Sequence, residues 1–368
     1  MRRTRRCRFW KDETLKILTI VGARPQFVKA AVVSRPLRER HHEVLLHTGQ
    51  HYDAAMSDRF FREFDIPAPD YELAVGSGSH GVQTAQMLVG IEQAIERERP
   101  DRVLVYGDTN STLAGALSAA KLHVPVAHVE AGLRSYNRLM PEEVNRVIAD
   151  QLSDLLFCPS EQAVRNLANE GITRGVHVAG DVMADALLRF GGSDDRRAQE
   201  NWLKQIGAVR GQYFLATVHR AQNTDDAGLL AGIVRALGAL SAPVILPAHP
   251  RLREALKRHG IVAGHNVQLI DPVGYFEMIA LERHARAILT DSGGVQKEAY
   301  WLAVPCVTMR DETEWVETVE AGWNVLTGAD ETKIVEAVRR LNPPAARPPL
   351  YGEGGAAKAI VDHLSAAA

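Results

Sequence analysis

The sequence predicts an α/β fold made of two Rossmann-like, doubly wound domains facing one another across a cleft. Three observations carry that expectation. Short β-rich runs alternate with amphipathic helical segments along the whole chain, the pattern that builds a parallel sheet with helices on both faces. The alternation is broken once, by the polar, glycine-containing stretch RFGGSDDRRAQENWLKQIGAVRG. The chain has 368 residues, enough for two domains of about 100–200 residues each.

Taken in order, the first half offers the strand candidates KILTIV, VLLHT, RVLVY, VAHV, DLLFC and VHVA, and most are followed by a helical segment such as EQAIERER or EQAVRNLANEG. The second half repeats the arrangement with YFLATV, PVILPA, NVQLI, ARAILT, PCVTM and NVLTG. Right-handed βαβ winding is expected in each half. The resulting division is a basic extension over 1–14, a first domain over 15–190 and a linker over 191–212. A nucleotide-binding domain over 213–350 and a C-terminal helix over 351–368 that could return to the first domain complete it.

Composition narrows the function classes. Apolar residues make up 46% and charged residues 24% of the chain, with a formal net charge of -2, so no nucleic-acid footprint is expected. No apolar run approaches the roughly 18 residues of a membrane span. Cys7, Cys158 and Cys306 form no paired motif, which argues against a disulfide framework or structural zinc and for a cytoplasmic location. The start, MRRTRRCRFWKDET, is rich in arginine but lacks the apolar core of a signal peptide; it reads as a disordered extension or as the product of an upstream start codon.

Ligands of open parallel sheets bind outside the carboxyl ends of the strands, so the residues after each strand matter most. These are Gly22-Ala23-Arg24-Pro25, Gly49-Gln50-His51, Gly107-Asp108-Thr109 and Glu130-Ala131-Gly132 in the first half. In the second half they are His219-Arg220, His249-Pro250 and Asp291-Ser292-Gly293-Gly294. Any one could be a cap or a turn; together they describe a polar edge on each sheet.

TDSGGVQKEA is the most informative stretch. Ser292, Gly293 and Gly294 should open a helix directly after a strand, where free N–H groups and the helix dipole favour an anion. Glu298, further along that helix, could accept ribose hydroxyls or be a solvated carboxylate. Arg24 and Lys29 flank the start of the first helix and could meet phosphate or remain on the surface. Asp108 and Glu130 end adjacent strand candidates. Glu142 and Glu143 follow Pro141, where first-turn carboxylates also suit the helix dipole. His219 and His249 end strands and could be structural. A G-x-G-x-x-G at Gly76, Gly78 and Gly81 follows no opening strand, so it is not read as a dinucleotide site.

GARPQFVK, GDTNSTLAGALSAAK, HVEAGLRS, PEEVNR, TVHRAQN, DPVGY and TDSGGVQKEA together resemble the non-hydrolysing UDP-N-acetylglucosamine 2-epimerase family, from about Lys16 to the C-terminal helix. The resemblance implies a glycosyltransferase-B-like fold, usually as a homodimer, acting on a UDP-sugar. Asp108, Glu130, Glu142 and His219 match the family's catalytic positions. Arg24, Lys29, Ser292, Gly293, Gly294 and Glu298 match its nucleotide-binding positions. Departures occur at Gln26, where many members have glutamate, at Tyr52, and at Trp315 in TEWVE. These variants look more like the branch acting on UDP-2,3-diacetamido-2,3-dideoxy-glucuronic acid. A sugar carboxylate would need a cationic partner, for which Arg134, Arg138 and Arg310 are candidates beside His249 as a substrate contact.

The chemistry implied is elimination and re-addition. C2–H of such a sugar has no neighbouring carbonyl, so its removal becomes feasible only as the C1–O bond to UDP breaks. That requires an anion cradle, a base and an acid for the opposite face, and no metal or other cofactor. A retaining glycosyltransferase, a hydrolysing 2-epimerase and a non-enzymatic sugar-nucleotide sensor are the alternatives.

Overall fold

Both sheets are parallel throughout, and each explains why its strands read as unbroken apolar runs. The computed structural model describes residues 14–50, 64–191 and 196–367. Most of the basic extension, and with it Cys7, lies outside those residues, as do His51 and Tyr52. Two compact units are present, Met1–Val182 with Gly354–Ala368, and Met183–Glu353.

In the first unit the strands are β1 (Lys16–Val21), β2 (His42–His47), β3 (Tyr71–Glu72), β4 (Arg102–Tyr106), β5 (Val126–Val129), β6 (Leu155–Cys158) and β7 (Val176–Val178). Its helices are α1 (Arg24–Arg40), α2 (His80–Glu98), α3 (Asn110–Lys121), α4 (Pro141–Leu152) and α5 (Glu161–Asn169). The sheet order is β3-β2-β1-β4-β5-β6-β7. Every residue of β4, β5 and β6 is buried, as expected of parallel strands covered on both faces. Only β3, two residues long, has no counterpart among the sequence candidates.

The second unit begins within α6 (Val182–Phe190). It continues through α7 (Arg196–Gln205), β8 (Phe214–Thr217), α8 (Ala221–Asp225), α9 (Ala227–Gly238), β9 (Val244–Pro247), α10 (Pro250–His259) and β10 (Val267–Ile270). Then follow α11 (Tyr275–His284), β11 (Ala287–Thr290), α12 (Gly293–Trp301), β12 (Cys306–Thr308), α13 (Val316–Glu320), β13 (Asn324–Leu326) and α14 (Glu331–Arg340). Its sheet runs β10-β9-β8-β11-β12-β13.

In both sheets the order reverses beside the first strand, between β1 and β4 and between β8 and β11. These are the topological switch points where doubly wound folds take their ligands. The turns after those strands carry Arg24, Asp108, His219 and Ser292.

The units divide at 182/183, ahead of the linker expected over 191–212. That stretch is not a plain linker, because α7 lies inside it and packs Trp202 and buried Leu203 against the second unit's core. Two apolar contacts on an otherwise polar helix left little sequence signal. The last helix, α15 (Ala356–Ala366), belongs to the first unit. It packs on α1 with Ile360 and Leu364 wholly buried, and Arg40 meets Asp362 at 2.5 Å. Among the described residues no helix is long and apolar enough to cross a membrane.

The docking of α15 is testable. Leu364→Ala should cost about 2–5 kcal/mol, the usual range for a buried leucine, read as a lower midpoint in thermal or denaturant unfolding. An unchanged midpoint would contradict this packing.

Candidate active site

In the first unit the turn after β4 is tight. Gly107 has a φ of +62°, and a Cβ built there would lie 3.1 Å from Lys29 Nζ and 3.3 Å from Glu130 Oε2. The left-handed backbone favours glycine here, and a side chain would also press on the Lys29 and Glu130 head groups. Asp108 follows, with its carboxylate 2.5 Å from the guanidinium of Arg146 and its side chain 34% exposed. Asn145 donates to the Asp108 carbonyl at 2.9 Å. Both partners come from α4, which thus sets the aspartate from the side.

The turn after β5 places Glu130 in the left-handed region, φ +70°, an uncommon state for a residue with a side chain. The N–H groups of Glu130 and Ala131 both reach the Phe157 carbonyl, at 3.0 and 3.1 Å. The Glu130 carboxylate is ion-paired with Lys29 of α1. Lys29, expected at phosphate, is thus engaged by a carboxylate within its own unit. Arg24 opens α1, but its side chain lies outside the described residues.

The structure separates the two glutamates at the start of α4. Glu143 is buried and accepts the N–H groups of Ser135 and Tyr136, each at 2.9 Å, with Arg146 at 3.2 Å. It holds the preceding loop. Glu142 is exposed and remains the catalytic candidate of the pair.

In the second unit Asp291 is wholly buried at the end of β11. It accepts the N–H groups of His219 and Arg220 at 3.1 Å and lies 2.9 Å from His219 Nδ1. Burial alone would push this carboxyl up; the bonds from His219, Arg220 and Asn223 outweigh it and hold it below the usual carboxylate range. His219 is 51% exposed, so its imidazole is anchored at one nitrogen while Nε2 is left to act on a ligand.

Ser292 caps α12 through its hydroxyl, leaving Gly293 and Gly294 as the first helical residues, the geometry of an anion site. Glu298 is buried on that helix rather than solvated. Glu282 of α11 is buried completely. Burial and the neighbouring Glu298 push its carboxyl well above the usual range, because two buried carboxylates side by side cannot both ionise. Among the described residues no group of three or more metal-ligating side chains occurs.

The family model for UDP-N-acetylglucosamine 2-epimerase matches residues 35–365. The chain belongs to that family. It is 52% identical to the UDP-2,3-diacetamido-2,3-dideoxy-D-glucuronate 2-epimerase of Pseudomonas aeruginosa, over 95% of this chain and 99% of that one. It is 41% identical to the UDP-N-acetylglucosamine 2-epimerase of Methanococcus maripaludis, over 94% and 97%. The crystal structure of Methanocaldococcus jannaschii UDP-GlcNAc 2-epimerase in complex with UDP-GlcNAc and UDP superposes with a TM-score of 0.89 at 41% identity, covering 96% of this chain and 100% of that one. This epimerase-family chain is accordingly an isomerase of sugar nucleotides.

Within this family member several sequence expectations change. Arg134 is not available as a substrate contact: its side chain is fully buried and pairs with Asp150 at 2.6 Å and Glu170 at 2.7 Å. Arg310 is also buried, and Glu314 takes it at 3.0 Å with Glu312 at 3.8 Å, which counts against a substrate role. Arg138 and His249 are exposed, and His249 caps α10.

Gln26 is a brace. Its oxygen accepts Gly22 and Ala23 N–H, while its amide donates to the Tyr106 carbonyl and Thr112; a glutamate could not make the bond to the Tyr106 carbonyl without a proton. Trp315 lies against Lys297, whose ammonium sits 3.9 Å from the ring centroid. Arg146 and Asn145 were not singled out from sequence, although their spacing after Glu142 in PEEVNR puts them on α4.

Glu282 generates a test with a defined sign. A carboxyl whose pKa is raised by folding gives full stability below its unfolded value, near 4.3, and loses it as pH rises toward the folded value. Glu282→Gln should therefore leave the melting temperature unchanged at pH 4 and equal or raise it at pH 7. A fall at pH 7 alone would show that the carboxylate is ionised and needed.

Proposed function

We propose that this chain is a non-hydrolysing 2-epimerase that interconverts UDP-GlcNAc and UDP-ManNAc by eliminating UDP to a 2-acetamidoglycal and adding it back. The observation that carries the reading is the pairing of Asp108 with Arg146 and of Glu130 with Lys29 on the ends of adjacent strands β4 and β5. Each carboxylate is held in place by a cation, as a group that transfers protons at C2 must be positioned.

Asp108, Glu130 and Glu142 share the proton transfers on the two faces of C2. Lys29 tunes Glu130. His219, anchored by Asp291, and the N–H groups of Gly293 and Gly294 beneath Ser292 are the groups proposed to stabilise the departing diphosphate, and Arg24 is a further cationic candidate. Glu298 receives the ribose hydroxyls. The product serves surface-polysaccharide precursor synthesis, and the enzyme works as a cytoplasmic homodimer.

A second reading keeps this mechanism and changes the sugar to the UDP-2,3-diacetamido-2,3-dideoxy uronic acid. The specific observation in its favour is 52% identity to an epimerase of that name, beside 51% to a chain named a UDP-N-acetylglucosamine 2-epimerase homolog and 41% to two named UDP-N-acetylglucosamine 2-epimerases.

Incubation with UDP-GlcNAc in deuterated water tests the proposal. It expects deuterium at C2 of both recovered UDP-sugars, no free sugar, and losses of ~10²-fold or more in turnover for Asp108→Asn, Glu130→Gln and Glu142→Gln. Free sugar, or turnover that appears only with an added acceptor, would contradict it. Exchange into the diacetamido uronic acid with none into UDP-GlcNAc would select the second reading.

A further inference from the structure

Behind the two carboxylate-bearing turns runs a line of buried charged groups that the proton transfers do not use. His128, in β5, is completely buried. Its Nδ1 lies 2.7 Å from Asp150 Oδ1 and its Nε2 lies 2.7 Å from the Gly107 carbonyl oxygen. Gly107 directly precedes Asp108. Asp150, in the last turn of α4, uses its second oxygen to accept the Gly132 N–H at 3.1 Å and Arg134 at 2.6 Å. Gly132 lies two residues beyond Glu130.

A carbonyl oxygen cannot donate. Burial pushes Asp150 up, but His128 and Arg134 outweigh that and hold it below the usual carboxylate range. Both nitrogens of His128 face oxygen atoms, and the ring bridges the aspartate and the Gly107 carbonyl. One buried carboxylate therefore ties down the turn after β4 through His128 and the turn after β5 through Gly132. The second of these turns holds Glu130 in the left-handed region, a conformation that in a non-glycine residue persists only where the surroundings over-determine it.

We propose that Asp150 and His128 are positioning residues for the epimerisation, setting the relative placement of Asp108 and Glu130. The proposal rests on the assignment of those two carboxylates to proton transfer. A shift of about 1 Å in a reacting group can cost ~10²-fold in rate, so the linkage acts on turnover and leaves UDP binding intact.

Four full-length variants test it. Asp150→Asn and His128→Phe should each lower kcat ~10- to 100-fold with KM and the UDP dissociation constant within about twofold of wild type. The double variant should lose no more than the worse single one, as groups acting as a unit do. Glu170→Gln, which breaks only Arg134's outer pair at 2.7 Å, should lower the melting temperature and leave kcat unchanged.

Hydrogen exchange of segments 105–112 and 128–134 is read in parallel. It should quicken in Asp150→Asn and His128→Phe and stay at the wild-type rate in Glu170→Gln. Unchanged kcat in a folded Asp150→Asn or His128→Phe protein, or equal losses in Glu170→Gln, would overturn the proposal. If wild type epimerises neither sugar nucleotide, the functional reading fails on its own. Hydrogen exchange then decides whether the linkage exists, and unchanged exchange in both variants would refute it.

Discussion

The functional turns of this protein are tied to carboxylates buried behind them. In a doubly wound parallel sheet the strand ends deliver backbone N–H groups that no neighbouring strand accepts. Here Asp291 takes those of His219 and Arg220, Glu143 those of Ser135 and Tyr136, and Asp150 that of Gly132. Each carboxylate is satisfied by several donors at once, the condition under which burying a charge is tolerable. Removing one would leave its donors unpaired in the interior, at a cost typically of about 3–5 kcal/mol for a broken buried ion pair. The outward-facing groups for which chemistry is proposed, Asp108, Glu142 and His219, do not hold the turns with their own carboxylates or ring.

This division of labour organises the electrostatics. Asp108 is paired with Arg146 and Glu130 with Lys29, and the Asp108 carboxylate reaches solvent. In the second unit His219 is placed by an aspartate at one nitrogen. Glu282 beside Glu298 works in the opposite sense, holding a proton so that one buried carboxyl can stand next to another. The same residue type thus acts as anchor, acid–base group or neutral neighbour according to depth and partners.

The α/β class and most strands were legible because strands covered on both faces leave continuous apolar runs, as in RVLVY and AILT. The switch-point turns were legible for the same reason: the polar residues that end such runs stand out. Depth was not legible. Arg134 and Arg310 sit in loops beside functional turns, yet both are buried in ion pairs, and a string of letters carries no record of which way a loop side chain turns. Glu142 and Glu143 are neighbours with equal first-turn propensity, and only packing makes one a brace. His128 and Asp150 are 22 residues apart and meet because β5 lies under α4, a contact that no local pattern encodes. From Met183 the helix α6 belongs to the second unit, where Phe190 meets Phe276, a contact between distant segments that no local pattern encodes.

The central claim is that the C1–O bond to UDP breaks while C2 is inverted. Positional isotope exchange tests it directly. UDP-GlcNAc, or the diacetamido uronic acid counterpart, is prepared with oxygen-18 in the bridge between C1 and the β-phosphorus. It is equilibrated with the enzyme and its phosphorus spectrum recorded. Cleavage and re-addition predict that the label spreads into the non-bridging β-phosphate oxygens at a rate comparable to epimerisation. Label retained in the bridge of fully epimerised product would mean that C1–O never breaks, and would contradict the account.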